Sequence, residues 1–163
     1  MSVPTNRDYT TTAKALHWLI VILILWQFAS AWTWPSFPRG DPTRGLLATM
    51  HVYSGVTILA LAAIRLAWRL THPAPPLPDG VPDLQQRLAR AVQGLLYVMI
   101  FVQPISGLFV INTEGPSHDT AEAVHGWGET LILVLAGLHV LGALYHHFVR
   151  KDDVLRTMLP NRG

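Results

Sequence analysis

Four stretches of this chain contain no Asp, Glu, Lys or Arg: Leu16–Trp34, Leu46–Ile64, Ala91–Asn112 and Thr130–Val149, of 19, 19, 22 and 20 residues. A helix rising 1.5 Å per residue needs about 20 apolar residues to cross a ~30 Å hydrocarbon core. Hydrocarbon offers no water to backbone amides, so such segments have to satisfy their own hydrogen bonds as helices. The expected fold is all-α, a four-helix transmembrane bundle forming a single membrane domain over 1–163, with spans near 14–34, 46–69, 88–112 and 122–149. Half of the 163 residues are hydrophobic and only 13% are charged, which leaves no sequence for a separate soluble domain.

The twelve Lys and Arg divide unequally between the two ends of these spans. Arg7, Lys14, Arg65, Arg69, Arg87, Arg90, Arg150, Lys151, Arg156 and Arg162 fall on one side, and only Arg39 and Arg44 on the other. The positive-inside rule then puts both termini in the cytoplasm. Topology accounts for the formal charge of +2, and no nucleic-acid partner is expected. The basic start and the small residues Ala29-Ser30-Ala31 imitate a secretory signal. The apolar run is longer than a signal core and holds Trp18 and Trp26, so it reads as the first span.

Linkers rich in helix breakers separate the spans, an outer one over Pro35–Pro42 and an inner one from His72 to Asp83 with five prolines. Asp83–Arg90 reads as a short amphipathic lead into the third span, and Thr113–Ala123 as a polar outer connection. The tryptophans gather towards span ends, as interfacial belts do. Pro104 predicts a kink, with Ser106 and Gly107 allowing close packing beside it. No internal repeat is visible in the sequence.

Within this apolar background stand His17, His51, His125 and His139. Imidazoles at membrane depth mark function when something binds them. Fourteen residues rotate a helix by 1400°, 40° short of four turns, so His125 and His139 share a face, about 21 Å apart along the axis. With cytoplasmic termini, His17 and His139 lie at the inner level and His51 and His125 at the outer level. Absence of cysteine removes thiolate metal sites and covalent haem attachment. Two facing imidazoles at each level suit a planar cofactor with two open axial positions, and haem b meets that requirement. Gly55, Gly137 and Gly142 would let a porphyrin approach the backbone. Zinc or copper binding and a proton relay stay open as alternatives.

Arg65 and Arg69 lie fourteen and eighteen residues beyond His51, on its face and at the cytoplasmic end. They are candidates to pair with the propionates of the inner haem, or to snorkel to lipid phosphates. Arg39 and Arg44 could serve the outer haem or its substrate in the same way. His146 falls seven residues after His139 and reads either as a polar residue of the helix end or as the candidate catalytic residue, bordering a quinone site and passing protons to reduced quinone. His72 and His118 lie in linkers and are assigned no role.

These residues together resemble the bacterial cytochrome b561 family. The resemblance is carried by Ala13-Lys14-Ala15-Leu16-His17-Trp18, Met50-His51-Val52-Tyr53-Ser54-Gly55, Leu96-Tyr97 with Pro104-Ile105-Ser106-Gly107, and Gly137-Leu138-His139 through His146-His147 to Lys151-Asp152. It implies two b haems and a multi-pass protein of the bacterial inner membrane. It further implies electron transfer from a periplasmic donor, superoxide in some members, to ubiquinone, as a superoxide:ubiquinone type of oxidoreductase. The competing expectation is a non-catalytic haem b anchor for a periplasmic dehydrogenase, hydrogenase or cytochrome c. Two departures stand out: Gln93 where some members carry histidine, and Pro78-Asp79-Gly80 where some place a lysine near the quinone.

Because the chain has no cysteine, single introduced thiols report its orientation. A membrane-impermeant maleimide added to spheroplasts should label Ser36→Cys and spare Ser2→Cys until the cells are lysed. The opposite labelling would invert the topology.

Overall fold

The computed structural model describes residues 8–78 and 80–160; Arg7, Asp79 and Arg162 lie outside the described residues. Four long helices dominate: α1 (Thr11–Thr33), α2 (Pro42–Thr71), α3 (Asp83–Asn112) and α4 (Pro116–Tyr145). A 3-10 turn over Trp34–Ser36 follows α1, and a five-residue π turn over His146–Arg150 extends α4. All four helices are long and apolar enough to cross a membrane. At 1.5 Å per residue they measure about 34 Å for α1 and about 45 Å for the others.

Local chemistry sets the ends of these elements. Thr10 Oγ1 accepts the Ala13 amide at 3.2 Å to open α1, and Asp41 Oδ1 accepts the Thr43 amide at 2.7 Å to open α2. Pro42 occupies the first turn of α2, where its missing N–H costs nothing. The expected amphipathic lead Asp83–Arg90 is the first part of α3 rather than a separate piece. Helix α4 starts at Pro116, earlier than the polar composition of Thr113–Ala123 suggested. Gly115 takes φ +61° there and turns the chain sharply, and Pro116 then begins a helix with its φ already set.

Packing is closest between α3 and α4 and between α1 and α2, with α2 against α3 joining the two hairpins. The buried interior is thin, built on Met99, Ile132 and Leu135 with Phe28, Val92, Leu96 and Val102 around them. Many large apolar side chains face outward instead, among them Ile22, Leu25, Val98, Leu133 and Leu141. A water-soluble bundle hides such residues, whereas a lipid-facing surface requires them.

At the end of the bundle that carries both terminal segments, called the inner end for the side expected from the sequence, the chain folds back beneath the helices. Trp18 Nε1 donates to the Met158 carbonyl at 2.9 Å, and the Tyr9 amide donates to Thr157 O at 3.3 Å. Trp68 Nε1 donates to Thr10 Oγ1 at 2.9 Å, and its ring stacks on His72 at 3.9 Å. These tryptophans tie segments together in addition to lying near span ends.

Candidate cofactor site

The four histidines meet two by two. His17 of α1 and His139 of α4 have ring centroids 6.2 Å apart with planes inclined at 75°, and His51 of α2 and His125 of α4 are 6.5 Å apart at 73°. An imidazole nitrogen sits about 2 Å from a metal it binds, and about 1 Å from its own ring centre. Two rings on opposite sides of one atom therefore have centroids roughly 6 Å apart, which is the spacing of both pairs. Among the described residues no three His, Cys, Asp or Glu converge to hold an ion. Zinc and copper want three or four protein ligands at one point, so each pair fits a metal that brings its own equatorial ligands.

The outer pair faces a cavity of about 530 Å³ between the two hairpins, lined by Ile24, Phe28, Ile58, Ile100, Leu108 and Ile132. Its volume and apolar walls are those of cofactor pockets, which run from about 300 to 1,000 Å³. Gly55 and Gly107 belong to the wall. Gly107 has a steric reason to be glycine, because a Cβ there would stand 2.9 Å from His125 Cε1. At Gly137 and Gly142 an added Cβ would meet no atom within 4 Å, so no packing contact demands glycine.

One device, used twice, holds the outer histidines. From α1, Gln27 Nε2 donates to the His51 carbonyl at 2.8 Å while Ser30 Oγ meets His51 Nδ1 at 3.0 Å. From α3, Gln103 Nε2 donates to the His125 carbonyl at 2.9 Å while Ser106 Oγ meets His125 Nδ1 at 3.1 Å. Each serine also donates to the carbonyl of the glutamine three residues before it, at 3.0 and 2.9 Å. The structure thus contains a repeat that the sequence did not reveal. Its only linear trace is Gln-x-x-Ser at Gln27–Ser30 and again at Gln103–Ser106, too short to notice alone. The repeat breaks at the inner level. Ten residues before the glutamines stand His17 and Gln93, and fourteen after the histidines stand Arg65 and His139.

Arg65 lies among these inner groups. Its Nε donates to the Tyr97 hydroxyl and its Nη1 to the Ala13 carbonyl, both at 3.1 Å, and it is close enough to act electrostatically on His17 and His139. Arg69 is half-buried one turn further towards the inner end. His146 belongs to a second cluster, with Nδ1 2.7 Å from Asp152 Oδ2, which also accepts Arg150 Nε at 3.2 Å. Burial pushes the Asp152 carboxyl up, but hydrogen bonds from His146, the Val154 amide and Arg150 outweigh it and hold the group below the usual carboxylate range. Arg150 Nη2 donates to Gly80 O at 3.0 Å and so pins the inner linker to this cluster. His118 Nδ1 lies 3.0 Å from the Val110 carbonyl at the outer end.

Charge at the outer cavity is acidic. Glu122 and Glu129 line it, Glu129 accepting Trp32 Nε1 at 2.7 Å, and among the described residues no Lys or Arg does so. Arg44 instead donates to the Phe37 carbonyl at 2.9 Å in the outer linker. Trp34, taken from sequence as a belt residue, packs edge-on against His51 at 4.9 Å and forms part of the cavity wall.

Comparison with known proteins is consistent along nearly the whole chain. The family described as prokaryotic cytochrome b561 matches residues 8–161. Cytochrome b561 homolog 2 of Escherichia coli (strain K12) is 29% identical, with 95% of this chain and 93% of that protein covered. The probable superoxide oxidase CybB of Yersinia pestis is 25% identical over 96% of this chain and 98% of its own length. Cytochrome b562 of Cereibacter sphaeroides is 27% identical over 94% and 96%.

Gly128 sits under the outer device, where an added Cβ would collide with Gln103 Oε1 and approach Met99 Cε to 3.2 Å. Gly128→Ala should therefore force Gln103 off the His125 carbonyl and destabilise the protein by about 1–3 kcal/mol. The check is the thermal unfolding midpoint in detergent. Gly126→Ala, whose Cβ meets nothing within 4 Å, should leave it unchanged or slightly raised.

Proposed function

The chain belongs to the prokaryotic cytochrome b561 family, and from that premise we propose that it carries two b haems, one on His17 and His139 and one on His51 and His125, passing electrons from a periplasmic donor through outer and then inner site to ubiquinone. Membership supports membrane haem b electron transfer in a multi-pass protein of the bacterial inner membrane. The observation that carries the ligand assignment is the pairing of rings at 6.2 and 6.5 Å at two levels of one bundle. When bound, haem b would supply a one-electron carrier, and these histidines are the residues that would hold it. Both termini are taken as cytoplasmic on the distribution of basic residues.

Each histidine has a defined part. His125 and His139 bring two ligands from one face of α4, while His51 and His17 reach towards them from α2 and α1. Arg65, held by Tyr97 and Ala13, supplies positive charge beside the inner pair and is proposed with Arg69 to bind the inner propionates. His146 is proposed to donate protons to reduced quinone from the cytoplasmic side, its Nδ1 anchored by Asp152 and its ring thereby oriented.

For the donor, superoxide is the first reading, resting on the name of the Yersinia pestis relative. Two superoxide anions would give one electron each and leave as dioxygen, and two electrons with two protons convert ubiquinone to ubiquinol. Arg39 and Arg44 would supply the attraction. The second reading, a haem b subunit fed by a docked periplasmic dehydrogenase, hydrogenase or cytochrome c, is favoured by Glu122 and Glu129 on the outer cavity, which repel a small anion and attract a basic protein. Purified protein reduced by superoxide alone, and reoxidised by ubiquinone, supports the first; reduction only with a partner protein supports the second.

Pyridine haemochrome assay should give two b haems per chain, falling to one in His17→Ala and in His51→Ala and to none when the two are combined. Retention of both haems in either single variant removes the assignment. His146→Ala should keep both haems and lower quinone reduction by about 10²-fold, a loss typical of a missing general acid. Asp152→Asn should lower it less. Because the Asp152 carboxyl is depressed, its stabilisation is complete above about pH 4, the ordinary Asp range, and disappears as pH falls through its lower folded-state value. The difference in unfolding midpoint between wild type and Asp152→Asn should accordingly persist at neutral pH and close on acidification.

A further inference from the structure

The outer and inner histidine pairs are supported differently, and the difference bears on how electrons would move between them. His125 Nδ1 lies 3.0 Å from the Gln103 carbonyl as well as 3.1 Å from Ser106 Oγ. A carbonyl only accepts, so Nδ1 has to carry the proton and Nε2 keeps a free lone pair. The same logic holds at His51, where the Ser30 hydroxyl donates its proton to the Gln27 carbonyl and presents a lone pair to Nδ1. Both serines are deeply buried, at 1% and 7% exposure, so water does not compete for these contacts. No comparable hydrogen bond reaches the ring nitrogens of His17 or His139 among the described residues, and the Arg65 guanidinium acts electrostatically on both rings.

We propose that Ser30 and Ser106, each backed by the glutamine three residues earlier, are positioning residues that fix the Nδ1–H tautomer of His51 and His125 and make the outer iron a poorer electron acceptor than the inner one. The proposal rests on the bis-histidine reading above. Hydrogen bonding at Nδ1–H raises the basicity of Nε2, and a more basic ligand favours the oxidised metal. Glu122 and Glu129 on the outer cavity act in the same direction, because negative charge also favours the ferric state. Arg65 at the inner level acts oppositely and favours the reduced state there. The two ends of the bundle are thereby biased for transfer from outside to inside.

The test is a redox titration of the holoprotein in detergent, followed in the haem α-band, for wild type, Ser30→Ala/Ser106→Ala and His51→Ala. The wave that vanishes in His51→Ala identifies the outer iron, and in wild type it should lie below the other. In the double alanine variant that wave should shift upward while the second stays in place, with altered low-spin g values for one iron only. An outer wave that does not move, or two waves that move together, overturns the role of the serines. Should alanine strip the outer haem, its retention in Ser30→Thr/Ser106→Thr supports a need for the hydroxyls, and its loss there as well refutes it. Both waves surviving in His51→Ala would instead refute the ligand assignment and leave the serine geometry without that meaning.

Discussion

An imidazole nitrogen buried in hydrocarbon without a partner is a cost that a membrane bundle cannot spread over solvent. The arrangement of this protein answers that cost at four places on three helices. Because α4 holds two histidines on one face about 21 Å apart, it serves both levels, and α1 and α2 each complete one of them. Helix α3 brings no histidine of its own to either pair. Its contribution is Gln103 and Ser106, which hold the histidine of its neighbour.

The thin apolar interior follows from the same demand. A bundle that packed its centre fully with Leu and Ile would have no room for a group between the paired rings. Here the protein packs tightly between α3 and α4, around Met99, Ile132 and Leu135, and leaves about 530 Å³ between the hairpins at the outer level. The small residues are placed accordingly. Gly107 yields to the His125 ring and Gly128 to the Gln103 side chain, so each glycine protects a polar contact rather than a turn.

The two hairpins use the same clamp at the outer level and part company at the inner one. Where one repeat unit has His17 the other has Gln93, and where one has His139 the other has Arg65. Arg65 therefore occupies the position at which the other hairpin carries the inner histidine His139. It bonds to Tyr97 and Ala13 and places a positive charge where the outer level has carboxylates. The departure from symmetry separates the chemistry of the two levels, and the His146–Asp152–Arg150 cluster adds a second difference at the inner end.

Much of this was readable in the chain itself. Uncharged runs of 19 to 22 residues dictated four helices, since no other backbone satisfies itself in lipid. Helical periodicity dictated that His125 and His139 share a face, and alternating span direction dictated which histidines share a depth. Boundaries were less legible, because the Gly115–Pro116 start signal lies inside a segment whose polarity argued for a loop. The partners of the histidines were illegible, because contacts such as Gln27 with His51 and Ser106 with His125 join residues 24 and 19 positions apart. Periodicity governs which residues lie on one helix face and at one height. Only the packing of one helix against another decides which side chain meets which nitrogen, and so the serine and glutamine supports, the acidic cavity lining and the pairing of His146 with Asp152 belong to the tertiary structure alone.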